Sequence, residues 1–217
     1  MPKRSAKHMA IDRCIVAFLK EYRKFSHIGD SLEGAYYWNE REAQWSLFNH
    51  MRSRTISRSI GSEWWIHAEG DVERPSYARW SGLKRADIVV VNHSKFRKWW
   101  KSGQRGPTPA YVAMIELKVL WSGSGMKSTL SSIKADVRKL AGCLDGGRTE
   151  EAHLILLDAL GRRRVPYYTE DSISKMLQRV KIGHRMSHRL RLWHWPDSDQ
   201  RVDVPKQASW KAYTAYV

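Results

Sequence analysis

The sequence predicts an α/β domain with a mixed central sheet flanked by helices, and three observations carry that prediction. Its segments alternate between helical and extended spacing in the order helix, helix, three strands, helix, strand, helix, strand. Several extended runs are almost continuously apolar, as expected of strands covered on both faces. At 217 residues with 42% hydrophobic side chains, there is material for one substantial core.

Residues 1–7 are a basic tail. Ile11, Ile15, Phe18, Leu19 and Tyr22 recur at three- and four-residue steps and predict a helix over 8–25. Gly29, Asp30, Ser31 and Gly34 mark a loop. A second helix is expected from about Asn39, a fitting N-cap, to Arg52, with Gln44, Leu47, Phe48 and Met51 on one face. Glu40 projects onto that face. An acid suits the start of a helix, but an acid on a core-facing stripe needs a further reason.

Strands are expected at 63–69 (EWWIHAE), 85–92 (RADIVVVN) and 111–121 (YVAMIELKVLW). The segment KFRKWWKSGQRGPTP between the last two reads as a basic and aromatic connection. A third helix over about 128–144 buries Leu130, Ile133, Val137, Leu140, Ala141 and Leu144 and stops at Gly146-Gly147. A short strand at 153–160, a helix at 170–180 and a strand at 190–195 complete the chain. In domain terms, 1–36 is a basic tail and helix, and 37–217 is one domain with a basic C-terminal extension.

Charge is the first functional clue. Lys and Arg number 38 against 22 Asp and Glu, a formal +16 that points to a polyanionic partner, above all nucleic acid. Cys14 and Cys143 are too few for a disulfide framework or a cysteine-rich zinc site. The N-terminal segment lacks an uninterrupted apolar region, and no run is long enough for a membrane span. A cytoplasmic protein with no membrane partner is expected.

The chemistry concentrates at Asp87, Glu116 and Lys118. Glu116 and Lys118 are two apart in one expected strand and so share a face, while Ile115, Leu117 and Val119 point the other way. Three charges on adjacent apolar strands are costly unless something compensates them. Phosphodiester hydrolysis supplies a reason. Two carboxylates can hold Mg²⁺ against a phosphate, and a neighbouring lysine can orient water and offset developing negative charge.

Asp87, followed after 28 residues by Glu116-Leu117-Lys118, resembles the PD-(D/E)XK nuclease superfamily, with Ala86 where the motif's name has proline. The likeness spans about 37–160 and implies a restriction-endonuclease-like αβββαβ core, with Mg²⁺ as cofactor and Mn²⁺ as a substitute. Asn39-Glu40-Arg41-Glu42 is similar to the helix that precedes the sheet in resolvase-like members, where a glutamate adds a metal ligand; Glu40 fits that part better than Glu42. The segment Ser132–Leu140 is similar to the helix after the E-x-K strand, with Lys134 as its candidate basic residue. The resemblance therefore implies a metal-dependent endonuclease acting on DNA, with catalytic Asp87, Glu116, Lys118 and Glu40, the three acids also serving as metal ligands. A homodimer would let two sites cut two strands.

Other signals are weaker. Trp121–Ser128 fails the spacing of a phosphate-binding loop. His184, His188 and His194 lack metal-site partners and read as part of a solvated basic stretch. No acyl-transfer triad is visible, and Asp71 and Glu73 read as an exposed turn. Lys95, Arg97, Lys98, Trp99, Trp100 and Lys101 interleave cations and indoles beside the proposed site and are candidate nucleic-acid contacts, with Lys134. Trp64, Trp65 and Trp121 are assigned to the core; Trp99 and Trp100 remain open to either role. Two competing classes are a catalytically silent docking platform on the same fold and a structural nucleoprotein component whose charge coats nucleic acid.

Overall fold

A computed structural model describes residues 6–26, 40–54, 64–71, 85–105, 109–121, 126–159, 189–196 and 211–214. In chain order these form α1 (Ala6–Ser26), α2 (Glu40–Arg54), β1 (Trp64–Asp71), β2 (Arg85–Asn92), α3 (His93–Lys101), β3 (Ala113–Trp121), α4 (Met126–Asp145), β4 (Ala152–Ala159), β5 (Leu190–Pro196) and β6 (Lys211–Thr214). The six strands form one sheet in sequential order. The β3–β4 and β4–β5 pairs are parallel, and β1–β2, β2–β3 and β5–β6 are antiparallel. The fold is thus α/β with a mixed sheet, and α4 is the crossover that parallel β3 and β4 require.

Strand parity sorts the apolar side chains into two layers. Ile88, Val90, Ile115, Leu117, Val119, Ile155 and Leu157 pack under α1 and α2. Val89, Val91, Met114, Leu154, Leu156 and Leu192 pack against Ile133, Val137, Leu140 and Leu144 of α4. Both faces are covered, which explains the continuous apolar runs. Helix α1 contributes Ile11, Cys14, Ile15, Phe18 and Leu19, all essentially inaccessible, to the same core as α2. Glu21 on α1 meets His50 Nδ1 on α2 at 3.2 Å.

Three expectations are corrected, and one strand is new. The basic connection after β2 opens as helix α3, because the Asn92 side chain accepts the Lys95 N–H at 3.1 Å and caps the first turn. The helix buries none of its residues fully; its short apolar stripe of Phe96, Trp99 and Trp100 was read instead as aromatics interleaved with cations. Trp65 is not core but 49% exposed, since neighbours along a strand face opposite sides and Trp64 takes the buried one. His194 is buried within β5 and not solvated. Strand β6 was not foreseen at all. Asn39, the 122–125 turn, Glu73, the 170–180 helix, His184 and His188 lie outside the described residues, as do the side chains of Asp71 and Trp121.

The burial of α1 makes a testable claim. Phe18→Ala should lower unfolding free energy by about 3–5 kcal/mol in urea titrations, whereas a loss below about 0.5 kcal/mol would mark α1 as an appendage.

Candidate active site

The site begins where β2 and β3 separate. Their pairing runs through Val90↔Ala113, Val89↔Met114 and Ile88↔Ile115, and Asp87 and Glu116 stand at the next position. The Met114 N–H bonds to Glu151 O beside β4, so by alternation the Leu117 and Val119 amides point toward β2. Beyond the last pair no β2 carbonyl meets them. Carboxylates do so instead: Leu117 N–H donates to Asp87 Oδ2 at 2.7 Å, and Val119 N–H to Glu40 Oε2 at 3.4 Å. The split in the sheet thus seats one acid from β2 and one from the first turn of α2 against the β3 backbone.

Glu116 and Lys118 rise from the face of β3 opposite Leu117 and Val119, toward α4. Helix α4 answers with Asp136 and Lys139, one turn apart and 3.5 Å from each other. Lys139 Nζ lies 2.6 Å from Glu116 Oε1, while Lys118 Nζ lies 3.3 Å from Glu40 Oε1 and 3.9 Å from Asp136 Oδ2. Sequence reasoning placed Asp87, Glu116, Lys118 and Glu40 together, and the fold does gather them. It missed Lys139 and Asp136 as members. Lys134, the residue nominated on this helix, sits about 140° around the axis from Lys139, on the other flank of the buried stripe. The available signal was that Asp136 and Lys139 edge the same side of that stripe.

Six charged groups share this partly buried space. Four carboxylates against two ammonium groups leave a formal −2 when all are ionised. Burial pushes Asp87 up to about 6; the Leu117 N–H and the two lysines hold it down in part, and Glu40 pushes it further up. Burial, then repulsion from Asp87, lifts Glu116 to about 8 despite the opposing pull of Lys139. Burial works against the Lys139 ammonium, but Glu116, Asp136 and Asp87 outweigh it, so its pKa is raised. No three of these acids bring oxygens within 4.8 Å of one another, because the two ammonium groups bridge them.

By chemistry the donors are the carboxylate oxygens a hard divalent cation prefers, and it would offset the surplus of −2. Asp87, Glu116 and Glu40 are the residues that would hold it, by closing on one another in place of the bridging lysines. Asp87 also borders an open cavity of about 260 Å³, lined besides by Arg41, Gln44, Trp45 and Ala68, which gives the acid cluster an approach from solvent.

A second cluster, Asp12, Glu151 and His153, has metal-like spacing. Its chemistry does not fit. The Trp193 indole N–H donates to His153 Nδ1 at 3.1 Å and occupies the one lone pair of the neutral imidazole. His153 Nε2 therefore carries the proton and faces Glu151 Oε1 at 2.5 Å, while Arg191 pairs with Asp12. This is a buried network joining α1 to β4 and β5.

The candidate nucleic-acid contacts lie elsewhere than expected. Lys95, Arg97, Lys98, Trp100 and Lys101 are exposed on α3, Trp99 is half-buried, and Lys95 meets Glu150 at 3.5 Å. Phe96 stacks on Tyr111 at 5.7 Å, at the end of β3 remote from Lys118. Asp87 and His93 are six positions apart along β2, roughly 20 Å at about 3.3 Å per residue. Helix α3 is therefore at the opposite end of the sheet from the acids and not beside them.

No family model, curated protein or solved structure matches the chain. Among the described residues, no helix is long and apolar enough to cross a membrane.

The raised carboxylates determine how stability depends on pH. Glu116 and Asp87 keep protons in the folded state that they lose near their ordinary values of 4.5 and 3.8 once unfolded. Folding stability contributed by these two groups thus falls as pH rises from about 4 to about 8. Thermal melts across that range without divalent cation should show the decline, and Glu116→Gln should flatten it and melt above wild type at the alkaline end. Parallel profiles for the two proteins would contradict the desolvated-acid account.

Proposed function

We propose that the protein is a divalent-metal-dependent endonuclease that hydrolyses phosphodiester bonds in DNA, built on a restriction-endonuclease-like core. The observation that carries this reading is the meeting of Asp87, Glu116, Lys118 and Glu40 in the split between β2 and β3. Two adjacent strands, a preceding helix and a following helix are compatible with the αβββαβ frame that the D…E-x-K resemblance implies. The formal +16 supports a polyanionic substrate.

Asp87 and Glu116 would hold Mg²⁺, with Mn²⁺ as a substitute, and Glu40 would complete the oxygen set. When bound, the cation polarises the phosphate and makes hydroxide available near neutral pH. Lys118 orients the attacking water and offsets the negative charge that grows on the phosphate. Glu40, 3.3 Å from Lys118 Nζ, holds that ammonium in place. Lys139 neutralises Glu116 and competes with a cation for it.

The last point also supports a second reading. Lys118 and Lys139 already bridge the acids, which is how a silent docking platform would satisfy its charges. Binding of Mg²⁺ separates the two. Calorimetry should record saturable Mg²⁺ binding that is lost in Asp87→Ala, and Lys139→Gln should tighten it about tenfold by removing a competing charge. Proton release should accompany binding near pH 7, because burial and the neighbouring Asp87 raise the Glu116 pKa to about 8. A platform would give no heat at the acid cluster.

Activity has its own test. Supercoiled, linear, branched and single-stranded substrates should be cleaved only with Mg²⁺ or Mn²⁺. Lys118→Ala and Asp87→Ala should each lose at least about 100-fold in rate while still binding nucleic acid. Equal cleavage by all three proteins would eliminate the assignment.

A further inference from the structure

The cavity beside Asp87 has a composition that the acid cluster does not explain. Three of its five lining residues, Arg41, Gln44 and Trp45, come from α2 at the spacing that puts them on one helix face. Ala68 of β1 and Asp87 of β2 complete the lining. Trp45 is 52% exposed, unusual for an indole with a core available on the same helix. It is nevertheless held in position. Its ring packs edge-on against buried Phe48, with centroids 5.4 Å apart and planes at 89°. A fixed indole at the edge of a cavity offers a stacking surface with little entropy left to lose.

Resting on the endonuclease reading above, we infer that this cavity binds one unpaired nucleotide next to the scissile phosphate, so that the substrate strand is single-stranded or splayed at the cleavage point. The base stacks on Trp45, the adjoining phosphate lies against the exposed Arg41, and the Gln44 amide faces the base edge. Arg41 and Trp45 stand one helical turn apart, a spacing comparable to that between the phosphate and base of one nucleotide. A continuous duplex cannot use such a pocket, because its base faces are covered by their neighbours and only a base outside the stack can meet an indole. Glu40, one residue before Arg41, turns from the same helix end into the acid cluster. Helix α2 thereby ties the position of the bound base to that of the bond to be cut.

The test is equilibrium binding, without divalent cation, of a fluorescently labelled single-stranded oligonucleotide and of the blunt duplex of the same sequence. Trp45→Ala should weaken single-strand binding about 5- to 100-fold and leave duplex binding within twofold; Trp45→Phe should restore most of the loss. Arg41→Gln should lower the salt slope for the single strand by about 0.7. Unchanged single-strand affinity in Trp45→Ala, or an equal loss on both ligands, would overturn the inference. Failure of the nuclease reading looks different: no divalent-dependent cleavage by wild type, with the selective Trp45 effect intact. Metal-dependent cleavage together with a neutral Trp45→Ala would retain the nuclease and remove the pocket.

Discussion

A desolvated surplus of negative charge, where two antiparallel strands part, is the constraint around which this structure is arranged. Paired strands would have buried the Leu117 and Val119 amides against β2 carbonyls. Asp87 and Glu40 take those amides instead, which brings two carboxylates to the strand that carries Glu116. The backbone hydrogen bonds offset part of the cost of burying Asp87, and Lys118 and Lys139 offset part of the rest. The compensation is incomplete, since Asp87 and Glu116 are both held well above the usual carboxylate range. A fold optimised for stability alone would place apolar groups there.

The surrounding architecture serves to hold that imbalance still. Both faces of β3 are packed, so its side chains have no freedom to turn the charges outward. Helix α2 is anchored through Ala43, Leu47 and Met51 and presents Glu40 at its first turn, where the helix dipole favours an acid. Helix α4 is anchored through Ile133, Val137 and Leu140 and presents Asp136 and Lys139 from the edge of its buried stripe. The cationic helix α3 lies some 20 Å off at the other end of the sheet.

Much of this was legible in the primary structure because strand periodicity is local. The shared face of Glu116 and Lys118 follows from their spacing alone, and the continuous apolar runs reported a sheet covered on both sides. Glu40 was marked by being an acid on a core-facing stripe. Other features were not legible, for definable reasons. Helix α3 is only nine residues long, and its aromatic stripe is half-buried and interleaved with cations, so it read as a connection. Trp65 and Trp64 are the same residue type side by side, and only the register of β1 against β2 decides which is buried. His194 sits in a basic context but is covered by packing from other elements.

The amino-acid sequence by itself determined most element types, the α/β class and the shared face of Glu116 and Lys118, since these follow from spacing between near neighbours. Tertiary structure alone decided which lysine on α4 meets Glu116, and that Asp87 and Glu40 cap the free amides of β3. It also decided that Asp12, Glu151 and His153 meet in a buried network with Arg191 and Trp193. The physical reason is common to all three. Each depends on where one element stops pairing with another, or on the rotation of a helix about its axis, and those are settled by packing between residues far apart in the chain.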